Sequence, residues 1–442
     1  MDAPLRSLAM SANVANSVNV EVGHLIRVAS NSSLTDQPPD LRLGDGVEVN
    51  VALPSTSPLL FMVLARWDDV VGPQTLYVWL PKQGGLCGAP MLGRRVRYVT
   101  SHAVSCNSVT AASGAASLRV VPDLRIVFMT RLFHASRAPF AVAAATELDK
   151  LYFVQGRHAL FQDWMQRLAD KIAPQLRQCD DEIILGDEVT SWILDFNFAV
   201  SSMKEASVDS PLLEDWYGKD LLKYPALAQA LTSHLQTFGQ SVVIGDKRPL
   251  VNSLISFLSL FLDNDQSKRS RFVPSHGHTC FHVGLCLQGL LVSGYGYRPI
   301  SSEELSCCPL PVTTIDLTRS LENGAVKQTE PLHKRTHGRT NFEPRSLLLP
   351  VKEGTRMVAT LLQELQMLPT SHWRAHVAIF NKRLDKLAEA TVSHVRHSSD
   401  LTTCVKDELK RLLGVDEREL VIVAARAEKI KPGVFVYIFG AK

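Results

Sequence analysis

The sequence predicts a chain of mixed α+β and α/β class: an antiparallel sheet with helices first, then an α/β region that passes into an α-helical end. Three stretches predict it. Residues 61–81, "FMVLARWDDVVGPQTLYVWLP", hold two apolar runs around a polar break. Such runs are the signature of strands covered on both faces, and the Gly72-Pro73 breaker makes them an antiparallel hairpin. Further on, "YPALAQALTSHLQTFGQSVVIG" reads as a helix, a stop at Gly239 and a strand from Ser241 to Ile244. "RPLVNSLISFLSLFLD" then opens a helix with Pro249 as an early residue. Finally, "GTRMVATLLQELQML" and "WRAHVAIFNKRLDKLAEATV" carry apolar residues at helical spacing.

Taken in order, residues 1–54 are rich in Ser, Asn, Asp and Pro and read as a disordered leader. After the hairpin come the strand-like runs "SLRVV", "LRIVFMTRLF" and "FAVAAAT". Leu160, Trp164, Leu168 and Ile172 recur every four residues, widened by Phe161 and Met165, which predicts an amphipathic helix ending near Pro174. A meander of strands closed by a helix is one layered domain, assigned to 55–180. The polar segment "QCDDEIILGDE" leads into the α/β region, 181–345, which includes the strand-like "FHVGLCLQGLLV". The helical end region is 346–442, and its last run, "VFVYIFG", is strand-like.

The 442 residues suffice for roughly two or three domains. A hydrophobic fraction of 45% and a net charge of +3 suit a globular chain and argue against a dedicated nucleic-acid binder. Eight scattered cysteines fit no disulfide framework and read as reduced thiols. No apolar run approaches the roughly 18 residues of a membrane span, so the sequence reads as a soluble intracellular chain.

Motifs that carry chemistry are sparse. There is no GxxxxGK[ST], GxSxG or HExxH, and "GYGYRP" does not open a helix. Asp68 and Asp69 are adjacent, so on a strand they point to opposite faces and cannot act as a carboxylate pair; they read as residues that satisfy turn amides. In "SHGHTCFHVGLC", His276, His278, Cys280 and His282 alternate and would share a strand face. Zinc would need a further segment to close a tetrahedral site, so no metal or other cofactor is assigned. Arg94, Arg95 and Arg97 read as a solvated edge, or as a surface for an acidic partner.

Four blocks, "SPLLFMVLARWDDVVGPQTLYVWLPK", "LTSHLQTFGQSVVIG", "VTTIDL…VKQTEPLHKR" and "AEKIKPGVFVYIFG", occur in that order. Together they resemble the longin–DENN family named for open reading frame seventy-two of human chromosome nine, over most of 57–440. The resemblance implies a longin domain followed by a DENN module with an α/β subdomain and an α-helical one. It makes Trp67, Asp68, Gly72 and Pro73 the signature turn of the first hairpin, geometry rather than catalysis. It implies a non-enzymatic regulator of small Rab/Arf-type GTPases, exchange-factor-like, working with a second longin–DENN protein and a WD-repeat subunit in autophagy and endolysosomal traffic. The alternative is a non-catalytic scaffold of a GTPase-activating complex whose arginine finger sits on the partner. A cytoplasmic protein follows, recruited through partners to endosome, lysosome and autophagosome membranes, with a nuclear fraction allowed. Glu428, Lys429, Lys431 and Pro432 are the candidate partner-facing residues; otherwise "AEKIKPG" is a turn between elements. Two departures stand out: the chain ends at "FGAK", where the family carries a further tail, and "SHVRHSSDLTTC" replaces a longer charged linker.

Overall fold

The computed structural model describes residues 26–27, 47–51, 57–81, 90–105, 116–135, 138–178, 182–208, 218–274, 280–293, 297–319, 325–329, 353–397 and 404–439. It is mixed α+β, and the chain divides into two compact units, Met1–Lys204 and Glu205–Lys442.

The first unit is built on seven strands: β1 (Ile26–Arg27), β2 (Val47–Val51), β3 (Leu59–Asp68), β4 (Gly72–Pro81), β5 (Ser117–Val121), β6 (Ile126–Ala135) and β7 (Ala138–Glu147). Their spatial order is β1-β2-β4-β3-β7-β6-β5. All neighbours are antiparallel except β2 with β4. The pairing of Val47–Val51 with β4 corrects the reading of 1–54 as wholly disordered. Its valines alternate, a strand signal too short to stand out within a polar leader.

Central β3 is buried on both sides, as its continuous apolar run predicts. Phe61, Val63 and Ala65 pack with Leu92, Val96, Val99 and Ala103 of helix α1 (Pro90–Val104). Met62 and Leu64, equally buried, alternate to the other face. Beyond β7 come α2 (Leu151–Gly156), α3 (His158–Gln178) and α4 (Glu182–Ala206). Helix α3 packs along β6 and adds nothing to the α1 cluster, so it covers the opposite face. It runs past Pro174, where the sequence predicted its end. The ring sits on the exposed side, and the buried stripe Leu160–Trp164–Leu168–Ile172 holds the helix on the sheet despite the lost amide. The acidic "QCDDEIILGDE" segment leads not into a new domain but into α4, whose Phe196 stacks on Trp164 at 4.0 Å and whose Thr190 accepts from Trp79 Nε1 at 2.9 Å.

The second unit centres on β8 (Ser241–Gly245), β9 (Leu287–Leu291), β10 (Val312–Asp316) and β11 (Val326–Thr329), in the order β11-β10-β8-β9. β8 lies parallel to both β9 and β10, and β11 is antiparallel to β10. Helix α5 (Leu227–Gln236) precedes β8; α6 (Arg248–Ser259), opened by Pro249, and the short α7 (Asn264–Lys268) follow it. The short α8 (Ser302–Ser306) precedes β10. The chain then becomes helical: α9 (Arg356–Met367), α10 (Trp373–His397), α11 (Cys404–Leu413), α12 (Glu417–Ile430) and α13 (Val434–Phe439). One core joins Val243, Leu254, Phe257 and Ile315 of the α/β part to Leu361, Trp373 and Val377 of the helices.

Two strand expectations fail here. The run at 281–292 is strand only from Leu287, because Gln288 clamps the preceding turn, bonding both the His282 amide (2.9 Å) and its carbonyl (2.8 Å). "VFVYIFG" is helix α13, not a strand. Glu428 accepts from the amides of Gly433 and Phe435, both at 2.7 Å, and thereby caps the new helix. Val434, Phe435 and Ile438 then fall on one buried face, so packing overrides β propensity.

Candidate functional site

The first hairpin turn is geometry. Asp68 Oδ1 accepts from the amides of Val71 (3.0 Å) and Val70 (2.9 Å), and these two donors hold its carboxyl below the usual range. Gly72, facing Asp68 across the pair, adopts φ +87°, which a residue with a Cβ resists. Trp67 faces Pro73 and is 36% exposed at the tip, where Val70 and Val71 also reach solvent. Asp69 is exposed and shares nothing with Asp68, so the two form no acid–base pair.

A second centre gathers residues from far apart in sequence. Helix α5 ends in a Schellman-type turn, with the Gly239 amide donating to the His234 carbonyl at 2.9 Å. Its left-handed position, which normally takes glycine, is Phe238 at φ 59°, followed by Gly239 at φ 84°. Phe238 is kept there by its ring, buried 5.3 Å from that of Phe435. Gln266 Nε2 donates to the Phe238 carbonyl at 2.5 Å, and Asp263 forms a capping box with Gln266 on α7. Lys429 Nζ then donates to Gln266 Oε1 (2.6 Å) and reaches Asp263 Oδ2 (3.2 Å). Burial lowers the Lys429 pKa, with Asp263 opposing. The second and fourth of the sequence blocks are thus joined through α7.

The groups at this centre support structure rather than catalysis. His234 is fully buried, with Nδ1 2.8 Å from Ser241 Oγ. Burial, then the Lys429 charge, pushes its pKa down to about 3, so it stays neutral. Burial pushes the Cys286 thiol up, away from a nucleophilic thiolate, and its sulfur accepts from Gln240 Nε2 at 3.2 Å. A cavity of about 20 Å³ beside His234, Asn381, Arg426 and Lys429 has room for a water molecule and nothing larger. Arg426 is held there by Asp385 at 2.6 Å.

Glu428 is half-buried and engaged by the amides of Gly433 and Phe435, and Lys429 is exposed but tied to Gln266 and Asp263; Lys431 is half-buried and Pro432 exposed. His276 and His278 lie outside the described residues. Cys280 accepts from Arg271 Nη2 through its carbonyl at 2.6 Å, and His282 sits in the Gln288 clamp. Among the described residues no three His, Cys, Asp or Glu side chains are grouped to hold a metal. Arg94 is exposed on α1, while Arg95 Nε donates to the Leu124 carbonyl at 2.8 Å. Sequence reasoning missed Asp263, Gln266 and His234; the D-x-x-Q spacing of a capping box was the available signal for the first two.

Fold and sites together define a two-unit α+β protein whose prominent polar residues hold turns and helix junctions. The C9orf72-like protein family matches residues 96–335, and the chain belongs to that family. It is 24% identical over 462 aligned residues to the protein named guanine nucleotide exchange factor C9orf72 of Homo sapiens, covering 89% of this chain and 94% of that protein. The homologues of Mus musculus and Rattus norvegicus, named likewise, match at the same identity and coverage.

Proposed function

We propose that the chain regulates small GTPases of the Rab/Arf type as an exchange-factor-like subunit, acting by binding alone. The observation that carries this reading is its likeness, across 94% of their length, to relatives named guanine nucleotide exchange factors. Exchange needs no covalent chemistry. It requires that the nucleotide-free GTPase be bound better than the loaded one, a difference in affinity that a surface can supply. In this reading a longin domain is followed by a DENN module that has an α/β part and, at 346–442, a helical end. A second longin–DENN protein and a WD-repeat subunit complete the assembly, which serves autophagy and endolysosomal traffic from the cytoplasm. Lys431 and Pro432, on the outer side of the α12–α13 turn, offer a partner contact; Glu428 and Lys429 keep that turn in shape.

The test is release of fluorescent GDP from a panel of Rab and Arf proteins, with the chain alone and with its longin–DENN partner. Faster release with the chain alone is expected. Unchanged release, with faster GTP hydrolysis only in the complex, would replace this reading by a scaffold for a partner-borne arginine.

A further inference from the structure

We propose that the outer face of α10 is a docking surface for anionic phospholipid headgroups, so that the chain touches a membrane directly. The proposal goes beyond the GTPase reading and does not rest on it. Helix α10 buries Trp373, Val377, Phe380, Leu384 and Ala388 along one side. Turning by 100° per residue, the opposite side presents Ala375, Ile379, Lys382 and Lys386, with Arg383 at its edge. All five are exposed, Ile379 at 51%.

Lys382, Arg383 and Lys386 form no ion pair among the described residues. The carboxylate between them in sequence, Asp385, turns away to Arg426 at 2.6 Å, and with the exposed Glu389 one turn beyond Lys386 the face keeps an excess of two positive charges. Like charges one turn apart oppose the helix that carries them, so the cluster gains from an outside anion. Charge complementarity favours a lipid surface. Two of the three cations are lysines on long flexible stems, and an apolar isoleucine stands among them. A nucleic acid is disfavoured by the near-balanced charge of the whole chain, net +3.

Each such cation near an anionic bilayer is worth about five-fold in partitioning, hence roughly 100-fold for three. The experiment is co-sedimentation of the full chain with vesicles of phosphatidylcholine, with and without phosphatidylserine. Binding is expected only with phosphatidylserine, falling as salt is raised. The triple variant Lys382→Gln, Arg383→Gln, Lys386→Gln should lose about 100-fold at an unchanged melting temperature. The charge-keeping pair Lys382→Arg, Lys386→Arg should bind as the parent does. Equal binding to neutral vesicles, or undiminished binding by the triple variant, would overturn the proposal. So would a chain that ignores vesicles yet binds polyglutamate through these three residues, which would mark an acidic protein as the partner.

Discussion

Replacing Trp164 by alanine should unfold the first unit at a much lower temperature. The indole is 2% exposed and lies parallel to Phe196 at 4.0 Å, while Phe161 meets the same Phe196 ring edge-on at 5.1 Å. An aromatic side chain burying about 150 to 250 Å² contributes roughly 4 to 6 kcal/mol at about 25 cal/mol per Å². That is an upper bound, because the unfolded chain is itself partly collapsed. Truncations of this kind cost about 3 to 5 kcal/mol, which agrees. For a unit of 204 residues, Met1–Lys204, about 2 to 4 °C is lost per kcal/mol, so the transition should fall by roughly 6 to 20 °C. Calorimetry would measure it, and amide exchange on β6 and α4 would assign it to the first unit. Trp164→Phe keeps a ring against Phe196 and should fall by less. A shift of only about 1 or 2 °C for Trp164→Ala would refute the packing of α3 against α4.

Gly72→Val meets no atom within 4 Å but forces a β-branched residue to φ +87°, so about 1 to 2 kcal/mol should be lost through strain alone. Unchanged denaturant unfolding would rule out the turn. His234 has a folded pKa of about 3 against 6.5. The unfolded chain therefore binds the extra proton between these values, and stability is lost as pH falls from about 6.5 towards 3, by up to roughly 4 to 5 kcal/mol. His234→Gln should flatten that pH dependence in the second unit, and an identical slope in both proteins would refute the assignment. Glu419 accepts from the Met357 amide at 2.7 Å and completes a capping box with Asp416. Glu419→Ala should cost about 2 to 3 kcal/mol, while Glu419→Gln, able to serve the same box, should retain most of the stability in urea titrations.

Local periodicity was enough to read the β3–β4 hairpin, the stop at Gly239 and the first two helices of the end region, α9 and α10. In each case a face of the element is apolar at its own repeat, or a backbone-special residue breaks it. Asp68 was legible as a turn residue for the same reason, since its partners are the amides two and three residues further on. What sequence did not yield depends on partners remote along the chain. The α13 run has strand composition, but Glu428 caps it and Phe238 receives Phe435, so it is a helix. Strand formation at 281–286 is pre-empted by one side chain, Gln288. The joining of Phe238, Gln266 and Lys429 draws on three separate segments. Side-chain spacing is set by the local helix or strand, so a sequence carries it. Which capped end meets which loop is decided by burial of the whole core, and that exists only once the chain has folded.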